Sequence, residues 1–164
     1  MKSANEEKQA LVLVVGLGES AAGDASVGLK ALAELERRFT LPDYVKVVAA
    51  NEVDTPLVEL MEEASFILVV DWLGGEEGAG AIFRVPLDEF ERPGEPPESY
   101  HEQALLASLG VLELLGGRPP AVLLSVQVDD HNPRTDLSPA VATALPGLVA
   151  RLVEELVKVG VPVL

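Results

Sequence analysis

The stretch that decides the fold is Leu11–Gly28, LVLVVGLGESAAGDASVG. An unbroken run of Leu and Val opens it, as expected of a strand covered on both faces of a sheet. A loop of small residues with Gly16, Gly18 and Gly23 follows, and Gly28 lies where a helix-periodic segment begins. A buried strand that delivers a glycine-containing loop to a helix is a common way for α/β proteins to build a site. The loop carries two acids, Glu19 and Asp24. Whether they have partners elsewhere in the chain is the functional question this stretch poses.

Working outward, Ala10 to Val15 reads as the first strand and Ala25 to Arg38 as a helix, with Leu29, Leu32, Leu35 and Phe39 at helical spacing. Leu41-Pro-Asp43 is a turn. Val45 to Ala50 reads as the second strand. Thr55-Pro56 reads as a cap and first helical residue of a short helix ending near Glu63. Phe66 to Trp72 is the third strand, apolar until Asp71. The turn from Gly74 to Gly80 is too short for a crossover helix, so Ala81 to Val85 is expected to run antiparallel to its neighbour. Pro86 to Ser99, with four prolines, reads as an irregular surface loop. A helix then covers Tyr100 to Leu115, closed by Gly116-Gly117. Ala121 to Val128 is the fifth strand and Asp129 to Asp136 a polar loop. Ser138-Pro139 caps a last helix to about Val159, which Pro146 should kink or split.

Strands alternating with helices give a three-layer α/β/α fold with a mainly parallel five-stranded sheet, the fourth strand antiparallel. The 164 residues fit a single domain over 1–164, with residues 1–9, polar and charged, as a flexible tail. Lys and Arg number 12 against 27 Asp and Glu, a net charge of -15, and the basic residues are scattered. Nucleic acid and anionic membrane surfaces are therefore poor partners. No apolar run approaches the roughly 18 residues a membrane span needs. There is no cysteine, so disulfides, thiolate metal sites and cysteine nucleophiles are excluded. A cytoplasmic location is the expectation.

Three positions carry candidate chemistry. Asp71 ends the third strand, where ligands of open α/β sheets collect; it reads either as a turn acid or as a carboxylate aimed into the crevice. His101 opens a helix and reads either as a surface residue or as a second group over the same crevice. His131, after the fifth strand and among polar neighbours, reads as a solvated loop residue, with a group reaching the same edge as the alternative. Gly16 to Ala21 matches the dinucleotide fingerprint G-x-G-x-x-A, but that motif needs its helix to start near Gly18, and Gly23 and Gly28 argue for a later start. A hydrolase triad from Ser20, Asp71 and a histidine fits the chain length and strand order poorly. An acid from the first loop with Asp71 and His101 would make a mixed carboxylate and imidazole set, suited to borderline divalent ions such as Zn and Ni.

These residues resemble the endopeptidases that mature nickel-iron hydrogenases. The resemblance runs from Leu11 to about Gly160 and is carried by LVLVVGLG from Leu11, Asp24 to Gly28, LPDYV at Leu41–Val45, Phe66 to Asp71, His101 and LSPAV at Leu137–Val141. It implies a metal-dependent endopeptidase that clips a C-terminal extension from the precursor of the hydrogenase large subunit. Nickel, supplied by the substrate, would be recognised by two acids and a histidine. Asp71 matches the second acid and His101 the histidine. The first acid falls at Ala25, which has no ligating atom, with Asp24 just before it and Glu19 where the family usually has Asn. The family's Gly-Gly after the second strand is Ala50-Asn51 here. Either Glu19 or Asp24 stands in as the third ligand, or Asp71 and His101 suffice because the substrate supplies most of the nickel's coordination. Attack would come from water, since no covalent nucleophile is evident. The alternative is a degenerate member that binds a hydrogenase-like partner as a binding or chaperone-like module.

Overall fold

The computed structural model describes residues 10–19, 23–74, 78–86, 100–117, 119–128 and 136–164, and only the backbone of 100–104 and 106. The 1–9 tail, Ser20, the 87–99 loop and His131 lie outside the described residues. Strand β1 is Leu11–Leu17, followed by a 3-10 turn at Gly23–Ser26 and helix α1 at Val27–Arg38. Then come β2 (Val45–Ala50), α2 (Thr55–Glu63), β3 (Ala64–Leu73) and β4 (Ile82–Pro86). The chain continues with α3 (Tyr100–Leu114), β5 (Ala121–Gln127) and α4 (Pro139–Lys158).

The strands form one sheet in the order β2-β1-β3-β5-β4. All pairings are parallel except β4 with β5, which is antiparallel as expected. Alternation along each strand divides the core in two. Val12, Val14, Leu68 and Val70 pack with Leu32 and Leu35 of α1 and Leu148 and Leu152 of α4 on one face. Leu13, Val15, Ile67 and Val69 pack with Leu57 and Met61 of α2 and Leu105 and Leu109 of α3 on the other. Each of these side chains, fully buried, contributes about 1.5–3 kcal/mol of transfer free energy, which is why the central strands read as continuous apolar runs.

Three local expectations change. Strand β1 does not stop at Val15: Gly16 pairs with Ala49 and Val70, and Leu17 pairs with Ala50. Gly16 is a close-packing residue of the strand rather than the start of a loop. A Cβ there would lie 2.7 Å from the Gly28 carbonyl oxygen and from Leu32 Cδ1. Helix α2 is capped by Asp54, one residue before the expected Thr55; its Oδ1 accepts a hydrogen bond from Leu57 N at 3.0 Å. Helix α4 runs unsplit through Pro146. Both Pro146 and Ala142, whose carbonyl loses its usual donor, are exposed, so water can satisfy that oxygen.

Candidate functional site

Strand β1 lies between β2 and β3, so the chain leaves β1 toward one side of the sheet and crosses to the other side to enter β3. The loops after β1 and β3 diverge at that switch point and leave a crevice at the carboxyl edge. Helix α1 is held tightly over it. A Cβ on Gly28 would lie 2.7 Å from the Leu17 carbonyl oxygen and 2.8 Å from that of Val70, backbone atoms of both strands.

Asp71 sits near the end of β3 with only 6% of its surface exposed. Its Oδ1 accepts a hydrogen bond from Trp72 N at 2.8 Å, which fixes the carboxylate relative to its own strand. By alternation with Ile67 and Val69 it faces the α2 and α3 side of the sheet. Its register partner on β5 is Ser125, 1% exposed, whose Oγ has no hydrogen-bond partner among the described residues. A buried orphan hydroxyl is uncommon and costs free energy unless something meets it. Helix α3 packs on this same face through Leu105, Leu109 and Leu112. It leads into the start of β5, near Ile67 at the amino edge, so its first turn, with His101, points toward the carboxyl edge. The His101 side chain is outside the described residues.

The β1–α1 loop is closed by backbone contacts. Gly18 N donates to the Ala50 carbonyl at 3.0 Å and Glu19 N to the Ala25 carbonyl at 3.2 Å. A Cβ on Gly18 would collide with that same Ala25 oxygen. Ser26 Oγ donates to the Gly23 carbonyl at 2.6 Å and steadies the 3-10 turn. Glu19 is thus brought beside Ala25 with its side chain exposed. Asp24 is placed differently. Its two carboxylate oxygens accept from Ser138 N at 2.7 Å and Ser138 Oγ at 2.8 Å, at the start of α4. It ties the loop to a helix 114 residues further along the chain.

Among the described residues, helix begins only after the 3-10 turn at Gly23 and not at Gly18, where a dinucleotide fingerprint needs its helix to start. Among the described residues no three His, Cys, Asp or Glu side chains converge as a metal set. Two features were not read from the sequence. One is Ser125, an unremarkable residue in an apolar run until register sets it against Asp71. The other is a groove of about 680 Å³ between the loop, β2 and α2, bordered by Glu19, Glu52 and Asp54. No helix among the described residues is long and apolar enough to cross a membrane.

Residues 29–155 match the sequence profile of the hydrogenase maturation protease family, HycI. Hydrogenase 2 maturation protease of Escherichia coli K12 is 25% identical over 153 residues, covering 92% of this chain and 93% of its own. The hydrogenase expression/formation protein HupD of Bradyrhizobium diazoefficiens is 29% identical over 114 residues, 69% of this chain. That match spans 59% of HupD. Among solved structures, the hydrogenase maturating endopeptidase HybD from E. coli has a TM-score of 0.80 at 22% identity, covering 94% of this chain and 96% of its own. The HycI protease of Thermococcus kodakarensis KOD1 has a TM-score of 0.72 at 17% identity, covering 90% and 93%. These structural likenesses establish the shared α/β fold, and the profile spans most of the chain. The chain belongs to the hydrogenase maturation protease family.

Proposed function

We propose that the chain is a nickel-dependent endopeptidase that removes the C-terminal extension of a nickel-iron hydrogenase large-subunit precursor. The observation that carries the reading is Asp71, a buried carboxylate at the carboxyl edge of the switch point in a member of this family. In this reading Asp71 and His101 grip the nickel that the precursor already holds. The Trp72 amide keeps the Asp71 carboxylate oriented, and the attacking group is water, held near the metal-bearing segment. Glu19 is the third ligand. Its amide is hydrogen-bonded to the residue that lacks a ligand, Ala25, and its carboxylate is free of the anchoring role that occupies Asp24.

The test is incubation of the purified protein with nickel-loaded precursor, read as a mass change in the large subunit. Wild type cleaves, and Asp71→Asn lowers the rate by at least about a hundredfold, the scale on which even groups behind the ligands act. Glu19→Gln weakens cleavage and Ala25→Glu restores it in that background. Cleavage by Asp71→Asn at the wild-type rate overturns the reading. Tight complex formation without cleavage identifies the chain instead as a binding module for a hydrogenase-like partner.

A further inference from the structure

The groove beside Glu19 wraps round a strand edge. Leu29 of α1 lines it from one face of the sheet, Leu57 and Leu60 of α2 from the other, with Ala49 between them. Ala49 to Glu52 and the Gly18–Glu19 loop line it too, so it passes round the carboxyl end of β2, which among the described residues is the outermost strand on that side. The Ala50 carbonyl is turned inward, to Gly18 N. Successive residues of a strand direct their backbone groups to opposite sides. Val47 and Ala49 therefore direct theirs to the open side.

An open strand edge is a template for another strand unless a charge, a proline or a bulge protects it. The charge on β2 is Lys46, near its amino end. From Val47 to Ala50 the strand is small and apolar, and Val48, Ala49 and Ala50 line the groove. Electrostatics select the occupant. The lining holds three acids, Glu19, Glu52 and Asp54, and no Lys or Arg. Asp54 accepts from Leu57 N through Oδ1. The whole chain carries -15, so an acidic segment is repelled and a basic one attracted.

We infer that the edge of β2 takes up an extended, apolar segment of the substrate polypeptide as an added strand, with a basic residue of that segment against Glu19 and Glu52. This rests on the reading that the chain grips a polypeptide at the neighbouring crevice, with which the groove shares the Gly18–Glu19 loop. Main-chain pairing with Val47 and Ala49 supplies affinity for any extended sequence, while the apolar walls and acidic rim supply selectivity.

The probe is a capped, fluorescein-labelled octapeptide of valine and threonine with two arginines at one end, titrated by anisotropy against the full chain without nickel. Two versions are N-methylated on alternate amides, one on the odd set and one on the even. Strand addition uses every second amide, so one set weakens binding by about tenfold or more and the other leaves it within about twofold. Replacing both arginines by glutamate weakens binding by about tenfold, and Glu52→Lys, at an exposed position, reverses that preference. Equal binding of both N-methylated sets, equal binding of the glutamate peptide, or no binding of the arginine peptide at about 1 mM overturns the inference. Peptide binding of this kind with a precursor that stays uncut sinks the proposed activity and leaves the docking edge standing. A cut precursor with no such peptide binding does the reverse.

Discussion

Removing the Asp24 carboxylate separates an anchoring residue from a metal ligand. In Asp24→Ala, Ser138 N and Ser138 Oγ lose acceptors now 2.7 and 2.8 Å away. A hydrogen bond to a charged group contributes about 1.5–3 kcal/mol, so the pair sets an upper range of about 3–6 kcal/mol. Part of that returns. Asp24 is half-buried, so water reaches the site, and the freed Ser138 hydroxyl can turn to cap its own helix, a contact worth about 1 kcal/mol. The carboxylate also faces the positive end of α4, which raises the loss slightly. The net expectation is about 2–4 kcal/mol. At about 3 °C per kcal/mol for a chain of this size, the midpoint falls by about 6–12 °C. Thermal unfolding and urea titration read it. The Ser138→Ala, Asp24→Ala cycle should show about 1 kcal/mol of non-additivity. An unchanged midpoint in Asp24→Ala, together with lost nickel or cadmium binding by calorimetry, would refute the reasoning and make Asp24 the ligand.

Two further expectations concern the frame around the site. Gly28→Ala would ordinarily favour a helix by up to about 1 kcal/mol. Here the added methyl meets the Leu17 and Val70 carbonyl oxygens, so the variant should lose about 1–2 kcal/mol net in denaturant titration; a gain contradicts the close approach of α1 to the switch point. On the same face of the sheet as α1, Glu155 of α4 is buried and bonded to Arg84 Nε at 2.5 Å and Lys158 Nζ at 3.4 Å. Burial pushes its pKa up, but the Arg84 hydrogen bond and the charges of Arg84 and Lys158 outweigh it and hold the value below the ordinary 4.5. The unfolded chain then binds that proton more readily. Stability from this group is therefore present above pH 4.5 and lost as pH falls through the lowered folded value. Arg84→Met, at a position partly open to water, should cost about 1–3 kcal/mol at pH 7 and flatten that acid limb. An unchanged acid limb in urea titrations at several pH values rules the pair out as its source.

Much of this architecture can be read locally. Unbroken Leu and Val runs gave the parallel strands, and the short Gly74–Gly80 turn correctly demanded an antiparallel β4, because no crossover fits there. Gly23 and Gly28 correctly argued for a late helix start against the dinucleotide fingerprint. Where the reading slipped, a non-local contact decided. Gly16 looks like punctuation in sequence, yet it continues β1 because α1 needs its missing side chain. Pro146 looks like a break, yet it falls on the exposed side of α4. In the site, Asp71 announced itself as the acid that ends an apolar run. The role of Asp24 could not be read at all, since its partner is 114 residues away. Nor could the groove, because being an edge strand is a property of sheet order and leaves no mark on the residues of β2.

The loop's two adjacent positions, 24 and 25, answer to different demands, and this has an evolutionary consequence. Position 25 supports the loop through its backbone carbonyl, which accepts from Glu19 N and which any amino acid supplies. Position 24 supports it through a side chain that a distant helix start depends on. A lineage can therefore exchange the residue at 25 with little loss of folding, while exchange at 24 is purged early. Change at position 25 is in that sense nearly neutral for the scaffold. Under the proposed reading, such a lineage keeps the Glu19–Ala25 backbone contact, so a neighbouring carboxylate such as that of Glu19 can take over the first acid's role without the protein passing through an unfolded ancestor.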